Sequence, residues 1–175
     1  MINVKTRPRV ALVMGSDSDY NTLVGCIKRL EYFNIDASVR VISAHRTPAE
    51  AAEFASNAKK SGIECIIAAA GKAAHLGGVI AAHTTLPVIG IPIKSSALDG
   101  LDSLLSTVQM PSGIPVATVA IDGAENAAIL AAQILALRYD YIEKKLDEFK
   151  EDMRVKVMDK DKALGEKIEK EREND

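Results

Sequence analysis

The sequence predicts an α/β fold, a central parallel sheet with helices on both faces, followed by a long charged helix. Three observations carry this. Short runs rich in Val and Ile recur at residues 10–14, 37–42, 65–70, 88–93 and 116–121, and apolar runs of that length suit strands covered on both faces. Helix-like segments separate them, at 18–33, 47–60, 73–83, about 98–106 and 126–137, an order that implies right-handed crossovers and a three-layer sandwich. Residues 140–175 then change character, holding 13 acidic and 10 basic residues, half of all the charge in the chain.

Taken in order, the elements carry local signals. Ser18 or Asp19 can cap the first helix, and Thr47 before Pro48 places a cap residue ahead of proline at the first helical position of the second. Lys59, Lys60 and Gly62 mark its end, with cations complementing the helix dipole and a glycine to turn the chain. In the tail, Ile142, Leu146, Phe149, Met153 and Val157 recur at spacings of three and four, giving one apolar stripe on a solvated helix. Gly165 and the closing KIEKEREND predict fraying beyond that stripe. Residues 1–139 form the expected catalytic domain, and 140–175 an amphipathic helix belonging to it.

Composition narrows the classes. A chain of 175 residues with 47% apolar content can fill one substantial core. A net charge of −2 leaves no electrostatic footprint for nucleic acid. Residues 1–9 lack the apolar core of a signal peptide, and the uncharged stretches 73–93 and 103–121 are too broken by Gly, Pro, Ser, Thr or His to read as membrane spans. Cys26 and Cys65 lack motif spacing and read as buried free thiols. A soluble, cytoplasmic protein is the expectation.

Ligands of such sheets collect outside the carboxyl ends of the strands. Here that edge is small and polar in four places: GSDSD at 15–19, SAHRT at 43–47, GKAAH at 71–75 and KSSA at 94–97. GSDSD can cradle a phosphate through free amides, or be an ordinary turn and cap. Arg46 favours the first reading, since a guanidinium binds phosphate in bidentate fashion. His45 is the candidate for proton transfer because its ordinary pKa lies near neutrality, although a lone loop histidine is more often structural. His75, one loop over, makes a convergent pair; His83 is assigned to structure. The sequence has no H-E-x-x-H, no C-x-x-C, no G-x-S-x-G and no Walker loop. The residues therefore point to a small phosphorylated ligand and acid–base chemistry without a metal or cofactor, and leave the substrate unnamed.

The blocks VMGSDSD, VISAHRTP, AAHLGG, LPVIGIPI, LDGLDSLLSTVQMPSGIPVATVAI and NAAILAAQIL together resemble the class I carboxyaminoimidazole ribonucleotide mutases of purine biosynthesis, over residues 9–137. The resemblance implies a flavodoxin-like αβα sandwich, a homo-octamer with active sites between subunits, and a ribonucleotide substrate. It implies transfer of a carboxylate from the exocyclic nitrogen to a ring carbon through trapped carbon dioxide, with no ATP, biotin or metal. By carry-over, Ser16, Asp19 and Arg46 contact substrate, and Ser18 and Ser43 are further ligands near the phosphate. His45 carries the proton, and His75 lines the carboxylate pocket, for which Gly71, Lys72, Ala73 and Ala74 are the neighbouring candidates.

One loop departs from the family. The family reads A-G-A-G-G-A-A-H-L-P-G where this chain has AAAGKAAHLGG, so Ala69 and Lys72 replace glycines and Gly77 replaces proline. A positive φ at Lys72 costs on the order of 1 kcal/mol. The related class II enzymes carboxylate aminoimidazole ribonucleotide directly and typically read S-A-H-K-T and G-R-S-N-A-L-S-G. Arg46, Pro48 and the Ala74-His75-Leu76 run favour class I, whereas Lys72 matches a basic residue of class II. A nucleotide-binding sensor without a proton carrier, and an electron carrier short of aromatics to hold a flavin, are the readings from other classes.

Overall fold

Alternation along β1 (Arg9–Met14) organises the computed structural model, which describes residues 7–96 and 98–173. The expectations for residues 1–6 and for Ala97, at the end of the fourth loop, lie outside the described residues. Val10, Leu12 and Met14 face one side of the sheet, and Ala11 and Val13 the other, all fully or almost fully buried. β1 pairs in parallel with β2 (Asp36–Val41) and with β3 (Ile63–Gly71); β3 pairs with β4 (Val88–Ile93), and β4 with β5 (Ala117–Thr118). The order β2-β1-β3-β4-β5 is flavodoxin-like, as expected.

On the first face, Leu23, Cys26 and Leu30 of α1 (Tyr20–Tyr32) and the alanines 127, 128 and 131 of α5 (Ala124–Ala136) cover the sheet. Ile142 and Leu146, from the start of α6 (Asp140–Glu173), complete that cluster. On the second face lie Ala51, Ala55 and Ala58 of α2 (Pro48–Ala58), spaced four and three apart, with Leu76 and Ile80 of α3 (Leu76–Ala82). The three alanines give α2 a small apolar face within this cluster. Next to them, α4 (Leu101–Val108) packs so tightly on β4 that a Cβ on Gly90 would come within 2.4 Å of Thr107 Cγ2.

Four local expectations need correcting. β2 is not covered on both faces: Val39 is 37% and Val41 55% exposed. The strand lies at the sheet edge, where Ala37 and Ser38 are half-buried, Val39, Arg40 and Val41 are exposed, and only Ile42 of the 37–42 run is buried. β5 shrinks to two residues; the chain leaves the ladder after Val119 N–H donates to Gly90 O, and turns at Asp122 with φ 55°. The first turn is capped neither by Ser18 nor by Asp19. Ser16 caps a 3-10 turn (Asp17–Asp19) by accepting from the Ser18 N–H. Thr47 does precede Pro48 at the start of α2, but its hydroxyl donates to Ser43 O and accepts from the Ser43 N–H instead of capping the helix.

The tail differs from expectation in length. α6 runs unbroken through Gly165 to Glu173. A glycine inside an exposed helix costs about 1 kcal/mol, which the long anchored helix and its Lys162–Glu166 and Lys167–Glu171 pairs tolerate. Ile142 and Leu146 are buried, and Phe149 packs edge-to-face on Tyr32 and Phe33. From 151 to 172 every residue is exposed, Met153 and Val157 included. The 73–93 and 103–121 stretches resolve into strands, loops and short helices, and among the described residues no helix is long and apolar enough to cross a membrane.

Candidate active site

The four polar loops converge on one cleft of about 640 Å³ at the carboxyl ends of β1 to β4. Ser16, Ser18 and Asp19 from the first loop line it, with Ser43, His45 and Arg46 from the second, Gly71, Lys72, Ala73 and His75 from the third, and Lys94, Ser95 and Ser96 from the fourth. Ala74 does not line it: that side chain is 1% exposed and packed inside the protein.

Each loop is built by its own hydrogen bonds. Gly15 N–H donates to Ala69 O at 3.0 Å, tying the first loop to β3. The Ser18 N–H donates to Ser16 Oγ at 3.3 Å and the two hydroxyl oxygens lie 2.8 Å apart, side by side at the mouth of the turn. Burial raises the Asp19 carboxyl above its ordinary range, against the opposing pull of hydrogen bonds from Ser18 and the Ser16 backbone; the charges of Asp17 and Asp122 raise it further.

Arg46 is held from two directions. Its guanidinium donates to Gly15 O at 2.9 Å and to Ser43 Oγ at 3.4 Å, while its N–H donates to the same Ser43 Oγ at 3.2 Å. These bonds fix the guanidinium across the end of β1 and leave donors for an anion. Ser43 thereby acts on Arg46 as well as lining the cleft. In the fourth loop, Lys94 pairs with Asp99 at 2.7 Å, and its N–H donates to Asp122 Oδ1 at 2.9 Å. The role of this loop was not assigned from the sequence; the signal was present in its polar residues directly after β4.

The two histidines meet. His45 Nε2 lies 2.9 Å from His75 Nδ1, with ring centroids 5.0 Å apart and planes at 85°. One of these nitrogens carries the proton and the other accepts it, so the pair holds a single proton between two loops. His83 instead satisfies itself locally, its Nδ1 2.9 Å from Val79 O at the end of α3, as expected of a structural residue.

Lys72 has φ 57°. Three other described non-glycine residues share that region, Asn34, Asp99 and Asp122, and all are of the types that tolerate it best. Cys26 and Cys65 are buried free thiols, both pushed up to about 12 by burial. Among the described residues, no group of His, Cys, Asp and Glu is arranged to hold a metal ion.

Comparison with known proteins gives these residues a context. The family model described as AIR carboxylase matches residues 9–156. The N5-carboxyaminoimidazole ribonucleotide mutase of Pyrococcus horikoshii is 56% identical over 167 residues, covering 95% of this chain and 94% of the relative. That of Thermotoga maritima is 54% identical over 157 residues, covering 90% and 92%. The phosphoribosylaminoimidazole carboxylase of Candida glabrata is 50% identical over 155 residues, covering 88% of this chain and 27% of that longer protein. Among solved structures, Treponema denticola PurE superposes with a TM-score of 0.81 at 28% identity, covering 90% of this chain and 99% of its own. With the family model spanning most of the sequence and relatives above half identity along nearly their full length, the chain belongs to the AIR carboxylase family.

Proposed function

We propose that this cleft converts 5-(carboxyamino)imidazole ribonucleotide to 4-carboxy-5-aminoimidazole ribonucleotide. The observation that carries the reading is the His45–His75 pair, which shares one cleft with the anchored Arg46. Arg46, Ser16 and Ser18 take the phosphate, with Ser43 setting the guanidinium. Asp19 faces the ribose hydroxyls, where its carboxylate meets donors instead of a like charge.

His45 moves the proton. It protonates the exocyclic nitrogen as the nitrogen–carboxylate bond breaks, releasing carbon dioxide and leaving the bond's electron pair on nitrogen. The ring carbon then attacks the retained carbon dioxide, and its proton returns to His45. One group that loses and regains one proton serves both halves. Retention needs a small, water-poor pocket, for which His75 and the Gly71–Ala73 backbone are the walls. Relatives named as mutases at 54 and 56% identity support this direction of chemistry.

The same reading makes the protein a cytoplasmic homo-octamer with residues 1–139 as catalytic domain. Support comes from apolar surface that one subunit leaves bare: Leu101, Leu105 and Val108 on α4 are 51%, 48% and 46% exposed beside the cleft, an arrangement suited to contact with another copy.

A second reading, direct carboxylation of aminoimidazole ribonucleotide by carbon dioxide, is favoured by Lys72 and by the carboxylase name of the Candida relative. Ultraviolet absorbance separates the two. Fast conversion of freshly made carboxyaminoimidazole ribonucleotide at low bicarbonate, without comparable turnover of aminoimidazole ribonucleotide at high bicarbonate, is the expected result. The reverse pattern identifies the carboxylase. Binding without turnover of either identifies a nucleotide sensor.

A further inference from the structure

Lys72 occupies a backbone conformation that disfavours it, and it does so inside the cleft. A lysine has no short polar side chain to stabilise the left-handed region, so its presence there is strain. Strain retained beside reacting groups suggests that the side chain does something there that glycine would not.

Its surroundings say what that is. Three cations line the cleft, Arg46, Lys72 and Lys94. Lys94 is already paired with Asp99. Arg46 and Lys72 form no ion pair with any carboxylate among the described residues. They stand on the loops after β2 and β3, which flank β1, so their strand ends are about 10 Å apart across the sheet. The histidine pair bridges the same two loops. The cleft therefore has, on each of the two loops that its histidine pair bridges, a cation without a carboxylate partner among the described residues.

Resting on the functional reading above, we infer that Lys72 is the carboxylate-binding residue of this site. Its ammonium holds the ring carboxylate of an imidazole ribonucleotide while Arg46 holds the phosphate. The left-handed turn at Lys72 is the conformation that presents the ammonium to the cleft, at the expense of local stability. Lys72 thus sets preference for carboxylated over uncarboxylated nucleotides.

Calorimetric binding of 4-carboxy-5-aminoimidazole ribonucleotide and of aminoimidazole ribonucleotide tests this, on the full-length protein and on K72M, K72G and K72R. Loss of a charge-assisted contact weakens the carboxylated nucleotide roughly 10-fold in K72M and K72G, leaving the uncarboxylated one within about twofold. K72R retains the preference. K72G, freed of the strained side chain, melts at a higher temperature than the wild type, whereas K72M does not. Equal loss for both nucleotides, or no loss for either, overturns the proposal while leaving the functional reading intact. Wild-type protein that binds neither nucleotide overturns both.

Discussion

His45 Nε2 and His75 Nδ1 lie 2.9 Å apart although 30 residues separate them in the chain. If His45 carries the proton and His75 orients it, the two substitutions differ in kind. His45→Asn should abolish turnover while calorimetric binding of nucleotide persists. His75→Asn keeps a hydrogen-bonding side chain and should lose about 10²- to 10⁴-fold in kcat with binding changed less. Substantial turnover by His45→Asn would remove that residue from its role.

Gly90 is held to glycine by steric fit, without a positive φ. A Cβ there meets Thr107 Cγ2 at 2.4 Å and Val116 Cγ1 at 3.0 Å. Gly90→Ala should therefore destabilise by about 1–3 kcal/mol. Adding Thr107→Ser removes the Cγ2 atom but keeps the hydroxyl that donates to Ser103 O, and should restore part of the loss. Chemical denaturation of the single and double variants measures it; no recovery in the double variant would mean that α4 is not the obstacle.

The thiols of Cys26 and Cys65 are raised to about 12 from an ordinary 9.0. Their folded pKa lies above the unfolded one, so the stability they contribute is whole below about pH 9 and is lost as pH climbs toward 12. The slope reaches about 1.4 kcal/mol per pH unit for each thiol. Replacing both by alanine should flatten the alkaline decline relative to wild type, although the variant starts from lower stability. Native protein at pH 8 should also resist a thiol reagent that labels both sites after unfolding. Rapid native labelling would contradict the burial.

Truncation separates the two halves of α6. Removing residues 151–175 deletes the part of α6 whose residues are exposed from 151 to 172 and should reduce the size of the assembly, read by light scattering, if the bare stripe packs on a neighbouring subunit. Removing residues 142–175 also deletes the buried Ile142 and Leu146, and should cost the subunit itself about 1.5–3 kcal/mol for each. An unchanged assembly mass after the shorter truncation would show that the stripe is not an interface.

Much of this was legible in the sequence for identifiable reasons. Parallel strands buried on both faces write themselves as Val/Ile runs, which located β1, β3 and β4. The edge strands were read less well, because β2 leaves its apolar Val39 and Val41 exposed at the sheet edge, and β5 is set by where the chain leaves Gly90 and Pro92, a tertiary event. Strand-end logic gathered His45, Arg46, Lys72 and His75 into one region. It could not show that Ala74 turns inward between two lining residues, nor that Thr47 closes its own loop, since both depend on the path of a few backbone atoms.

The histidine contact joins loops from two strands that never touch, because β1 lies between β2 and β3 and pairs with both, Met14 standing opposite Val41 and Ala69. A slip of either outer strand by one residue moves its loop about 3.3 Å and turns its side chains over, more than the 2.9 Å contact can absorb. Recovery of helical signal during refolding therefore says little about this protein. Return of the imidazole contact, followed through the ring resonances, reports that three strands have been proofread into register, and a misaligned sheet should stay silent in that signal however compact it has become.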